Sequence, residues 1–229
     1  MTVISNPLLL KKKAAAGGGS GFQIEKSLRF NAGDDPVLSR KHSVNGNRKT
    51  YTISFWLKRA GKHSNGNYFL GQYADGAGVE LQAYFDDTTD QIVWYYDPYS
   101  YVKTTAKFRD HSAWMHIVFA VDTTLPRSGD RIKVYINGES QSFDTYNAPT
   151  QNADTDWNCT AGEARVGASR SGTARNNYIA DFYSIDGLQL PPSAFGEHDS
   201  NTGVWNPKAF ALPQINDGTT WSTPSYWSG

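Results

Sequence analysis

An all-β fold is predicted by two observations, the composition and a hydrophobic period of two. Aromatic residues make up 14% of the chain, including 7 Trp and 13 Tyr, while charged residues reach 19%. Low charge with many aromatics, Gly, Thr, Ser and Asn is the makeup of strands joined by tight turns. From residue 22 onward apolar side chains recur at every second position, and helical periodicity is almost absent. Many short strands with frequent turn signals mean an antiparallel sandwich or barrel. At 229 residues the chain suits one such domain.

The elements follow in order. Ser27–Asn31 alternates with Leu28 and Phe30 on one face, Asp34-Asp35-Pro36 turns, and Val37–Arg40 is extended again. Tyr51–Arg59 is a clear strand: Tyr51, Ile53, Phe55 and Leu57 share one face, Thr52, Ser54, Trp56 and Lys58 the other. Asn65-Gly66 signals a turn, and Tyr68–Tyr73, Val79–Phe85, Gln91–Asp97 and Tyr101–Phe108 are read as strands. Trp114–Asp122 is apolar at nearly every position, which fits a strand buried on both faces. Arg131–Ser140 alternates up to Asn137-Gly138, a type I′ hairpin signal because both residues must take positive φ. Arg165–Ser169 and Tyr178–Asp186 are late strands, and Leu190–Phe195 holds at most a turn of helix.

The two ends differ from the middle. Residues 1–21 run apolar, basic, alanine and then Gly17–Gly19, Ser20 and Gly21, an extended Gly-rich arm. The arm reads either as a frayed terminus or as a docking device, with Leu8, Leu9 and Leu10 entering a groove on a neighbour and Lys11, Lys12 and Lys13 lying on acidic surface. Residues 22–210 form the sandwich, and 211–229 are irregular. Trp205, Trp221 and Trp227 are expected to pack back on the sandwich or on a partner, since an aromatic side chain buries about 150–250 Å².

Net charge is zero, which gives no broad footprint for nucleic acid. No segment reaches the ~20 apolar residues of a membrane span. In Val3–Leu10 the apolar run precedes the lysines, the reverse of a secretion signal. The single cysteine, Cys159, is expected to be a partly buried, inert thiol in a protein made in a reducing cytoplasm.

The strings SLRFN, YTISFWLKR, WMHIVFAVDTT, DRIKVYINGE, ARVGAS and YIADFYSIDGLQL, taken in order, resemble the concanavalin A-like, laminin-G-like modules, in the version found in structural proteins of tailed bacteriophages. Phe195–Phe210 is similar to the segment that closes those modules, and the resemblance covers roughly Ser27–Phe210. It implies a two-sheet antiparallel jelly roll. It also implies a place on a virion, assembled in the host cytoplasm, as fibre, tail-tip or capsid decoration, contacting other virion proteins as a homo-oligomer, with a trimer as the fibre form. Glycan binding at rim loops, sometimes calcium-assisted, belongs to the same family.

Catalysis is not expected. The E-x-D-x-x-E string of glycoside hydrolases on this fold is missing, as are an H-x-x-x-H zinc pair, a G-x-S-x-G elbow and a P-loop. His116, inside an apolar strand, is expected to be a hydrogen-bonded core histidine. No cofactor is expected. Were calcium bound, Asp75, Asp86, Asp87 and Asp90, or Asp154 and Asp156, would be its oxygen donors.

The glycan candidates are Trp94, Tyr96, Tyr99 and Tyr101, because aromatic faces stack on sugar rings, with Arg170, Arg175 and Asn176 as polar partners. Alternation puts Trp94 and Tyr96 on the opposite side from Tyr95. It leaves open whether either set stacks on sugar or only packs the sheet. Two functions are therefore carried: a virion structural component docked through its arm, and an adhesin that recognises host surface glycans.

Overall fold

A computed structural model describes residues 21–61, 66–74, 79–96, 100–169 and 175–211. The described residues form fifteen strands: β1 Leu28–Phe30, β2 Leu38–Lys41, β3 Thr50–Arg59, β4 Asn67–Ala74, β5 Val79–Phe85, β6 Gln91–Tyr96, β7 Ser100–Lys107, β8 Trp114–Asp122, β9 Ile132–Ile136, β10 Glu139–Ser140, β11 Phe143–Asn147, β12 Glu163–Val166, β13 Asn177–Asp186, β14 Gly196–His198 and β15 Trp205–Pro207. Among the described residues helix is limited to one turn at Ser128–Arg131 and a 3₁₀ turn at Pro192–Ala194. No helix among the described residues is long and apolar enough to cross a membrane.

The strands form two facing sheets, all pairs antiparallel. One has six strands in the order β1-β13-β3-β8-β9-β10, the other seven in the order β11-β7-β6-β5-β4-β12-β2. β14 and β15 make a separate hairpin. The period-two faces decide the layers. Tyr51, Ile53, Phe55 and Leu57 of β3 are fully buried between the sheets, against Leu81, Ala83 and Phe85 of β5. At the centre Phe55 and Phe69 lie 5.6 Å apart and Phe69 and Phe85 5.3 Å apart. Burying each such ring is worth about 1.5–3 kcal/mol.

Met115–Val121 is covered on both sides for two different reasons. Met115, Ile117, Phe119 and Val121 face the seven-stranded sheet. Val118 lies under a smaller outer cluster with Ile185, Leu190 and Phe195, against which Tyr183 and Phe210 pack. His116 sits beside it, 1% exposed, between Trp56 at 5.2 Å and Trp205 at 5.9 Å. The segment after β13 thus folds back over the six-stranded sheet, with Trp205 on His116. Trp221 and Trp227 lie outside the described residues.

The turn chemistry follows the sequence. Asn137 and Gly138 both take positive φ, 50° and 85°, and close the β9–β10 hairpin. The ring of Trp205 packs on Gly138, where a Cβ would collide with it. Cys159 is a buried free thiol whose sulfur accepts from the Gln72 amide at 3.2 Å.

Candidate functional site

Alternation along β5 turns Tyr84 outward while Leu81, Ala83 and Phe85 enter the core. The registers of the neighbouring strands then assemble a row. Tyr68 of β4 pairs directly with Tyr84, and Tyr95 of β6 pairs directly with Tyr101 of β7. Four tyrosines from four adjacent strands therefore share the outer face of the seven-stranded sheet, all of them half-buried. The Tyr68 and Tyr84 rings lie 4.7 Å apart and tilted by 41°. Gly66 at φ 75° abuts both rings, so a side chain there would crowd them.

Polar groups flank the row. The Arg175 guanidinium stands 5.8 Å over the Tyr68 ring and donates from Nε to the Gly66 carbonyl at 3.1 Å. Beyond Tyr84, Lys103 and Asp86 pair at 2.9 Å. Burial opposes ionisation of Asp86, but hydrogen bonds from Thr88, Lys103 and Thr89 outweigh it and hold the carboxyl well below its usual range. Gln82 and Glu80 are locked amide to carboxylate at 2.7 Å. Burial, with Tyr101, Tyr68, Asp86 and Tyr95 nearby, pushes the Tyr84 phenol well above its ordinary value. The face thus offers neutral phenols as donors, ring faces for stacking and fixed planar polar groups, the combination a sugar ring requires.

The sequence candidates divide. Tyr101 lies in the row and Arg175 beside it. Trp94 does not belong to the site: it pairs with Ala83 and Val102, both core residues, and is fully buried. Tyr96 faces the same way, 6.1 Å from Trp94, and its hydroxyl donates to the Asp154 carbonyl at 2.6 Å. Asn176 is spent on the backbone, its side-chain oxygen accepting from Ala32 N at 2.9 Å and its carbonyl from Ala60 N at 3.0 Å. Tyr99, Arg170 and the arm residues Leu8–Lys13 lie outside the described residues. Sequence reasoning missed Tyr68 and Tyr84 and put no weight on Tyr95, although period two in VELQAYF marks Tyr84 as outward.

A family model described as the concanavalin A-like lectin/glucanases superfamily matches residues 31–182. The chain belongs to that superfamily. Similar solved structures include a sialidase of Trypanosoma rangeli, at 15% identity and a TM-score of 0.47, covering 64% of this chain and 22% of the sialidase. This chain therefore spans less than a quarter of that enzyme. A heptameric SAP-like pentraxin of Limulus polyphemus matches at 13% identity and a TM-score of 0.46, covering 65% and 69% of the two chains. Domain 4 of an extracellular arabinanase of Geobacillus stearothermophilus, solved with arabinotriose, matches at 18% identity and 0.45, covering 65% of each. Membership in the superfamily rests on the sequence match, not on these likenesses. No curated protein sequence matches the chain.

Membership corrects the expectation that the chain is not an enzyme. The superfamily joins lectins with glucanases by its own description. A missing E-x-D-x-x-E string rules out one arrangement of carboxylates, not catalysis.

Three of the acids named as calcium donors, Asp86, Asp90 and Asp156, are engaged by other groups. Asp90 accepts twice from the buried Arg59, at 3.1 and 3.2 Å. Asp156 accepts from Glu80 N at 2.7 Å and pairs with Arg48 at 3.3 Å. Asp86 is held as above, and Asp75 lies outside the described residues. Calcium takes six to eight oxygens that are free to turn toward it. Among the described residues no three His, Cys, Asp or Glu side chains converge as a metal site.

A second concavity, about 330 Å³, opens at the sandwich edge between β2, β12 and β13, over Trp157 and Phe182. Arg40, His42 and Asp186 give it charge of both signs. Burial and the neighbouring Arg40 lower the His42 pKa against the pull of Asp186.

Proposed function

We propose that the chain is a carbohydrate-binding module that holds a host-surface glycan across the tyrosine row of the seven-stranded sheet. The observation that carries this reading is the row itself: Tyr68, Tyr84, Tyr95 and Tyr101, brought together by the registers of four strands and edged by Arg175, Lys103 and Asp86. Membership in a superfamily of lectins and glucanases supports it. A glycan array on residues 22–229, followed by titration of the best hit against Tyr84→Ala, tests it. Binding that persists unchanged in that variant removes the row from the function.

The finer setting, a bacteriophage virion on which the chain docks through Leu8–Lys13, is a second proposal. Its support is the order of the sequence motifs together with the Gly-rich arm. Deleting residues 1–21 should leave a folded domain that no longer enters particles, and normal incorporation overturns the docking role.

A further inference from the structure

We propose that the opposite side of the sandwich carries a separate site for an acidic saccharide, built from Arg29, Lys58, Tyr178 and Trp114. Strand registers again make the arrangement. Tyr178 of β13 pairs with Arg29 of β1 on one side and Lys58 of β3 on the other, and Lys58 pairs with Trp114 of β8. The four side chains lie in one line over four adjacent strands of the six-stranded sheet, so the line is about 14 Å long.

The chemistry of the line is one-signed. The Lys58 ammonium stands 5.7 Å and the Arg29 guanidinium 5.8 Å from the centre of the Tyr178 ring. Neither cation has a carboxylate partner among the described residues. The ring fixes both cations before any ligand arrives, which reduces the entropy lost on binding. Trp114 meets Tyr178 edge to face at 6.4 Å and 66°.

Simple packing accounts for the cations, whose stems cover Tyr178. It does not account for Trp114, which is 38% exposed. Two residues further along β8 the chain lays Trp205 over His116, and Phe195 covers the neighbouring surface. Among the described residues, no such cover lies over Trp114 and the cations. Two pre-set positive charges beside an open indole suit a ligand with an apolar ring face and a carboxylate or sulfate. A neutral sugar would leave the charges unused. The site stands on the other sheet from the tyrosine row and does not depend on it.

The test uses the whole chain and isothermal titration. Three probes are compared: a heparin-derived sulfated tetrasaccharide, the neutral cellotetraose and a single-stranded oligonucleotide. The sulfated probe should bind, and raising the salt should weaken it. Arg29→Gln with Lys58→Gln should weaken it by about tenfold or more. Trp114→Ala should do so by a similar factor, and Lys58→Arg should retain it. Tyr84→Ala should leave it unchanged, which separates this site from the tyrosine row. Circular dichroism of each variant checks the fold. Equal binding of cellotetraose, or undiminished binding by the double variant, overturns the proposal. So does tighter binding of the oligonucleotide, or a dimer in light scattering that Trp114→Ala dissolves, since the face would then belong to another partner.

Discussion

The indole N–H of Trp205 donates to Nδ1 of His116 at 3.1 Å, across 89 residues of chain. With Nδ1 accepting, the neutral ring carries its hydrogen on Nε2 and donates it to Ser54 Oγ at 2.8 Å. Protonation would set one N–H against another in a buried place. Burial lowers the His116 pKa from 6.5 to about 4. The fold thus disfavours the charged form. The stability from this ring is complete above pH 6.5 and is lost as pH falls from 6.5 toward 4, about 3 kcal/mol over the window. Urea midpoints between pH 7 and pH 4 should fall in the wild-type chain and fall less in His116→Gln. Equal slopes would take His116 out of the account.

Arg59 and Asp90 form a buried pair, with side chains 1% and 12% exposed. The guanidinium also donates to the Phe108 carbonyl and stands 4.4 Å over the Phe85 ring. Arg59→Met removes the closer of the two cations on Asp90, leaving Arg109 at 4.0 Å, and should cost about 3–5 kcal/mol. Adding Asp90→Leu should return part of that loss. A urea double-mutant cycle measures the coupling, and strict additivity would contradict it.

Gly167 takes φ 84°, and any Cβ there would enter the Phe30 ring. Gly167→Ala adds backbone strain to a collision in the core. We expect a loss of about 2 kcal/mol or more in chemical denaturation. Phe30→Leu in the same chain should relieve part of it by vacating the space.

Trp94→Ala and Tyr84→Ala separate core from face. The first empties a site of zero exposure and should cost about 3–5 kcal/mol in stability. The second removes a half-buried ring of the row, so most of its effect should fall on glycan affinity, with the fold kept. Thermal melts and glycan titrations of both variants should show opposite patterns.

Much of the fold can be read from single strands. Tyr51–Leu57, Ile132–Ile136 and the Asn137-Gly138 turn behave as period and turn chemistry dictate, because each is a local signal. Trp94 shows where locality ends. Alternation separates Trp94 from Tyr95 but does not say which of them looks inward; that is fixed by the second sheet across the core. The tyrosine row is less legible still. Tyr68, Tyr84, Tyr95 and Tyr101 meet only through three pairing registers, two of them shifted by irregularities, between Tyr68 and Leu70 and between Gln91 and Val93. The cover of His116 by Trp205 depends on a contact across 89 residues of chain.

β13 lies between β1 and β3, so the first strand of the six-stranded sheet has no other neighbour in it. Assembly of β1 must therefore wait until residues 177–186 have been made. While the chain emerges from the ribosome, β3 has β8 on one flank and an open hydrogen-bonding edge on the other until residues 177–186 arrive. That edge backs onto Ile53, Phe55 and Leu57, the heart of the core. A chain cut before Asn177 would keep it bare permanently, an invitation to pair with strands of other molecules. β13 is thus also the guard against aggregation.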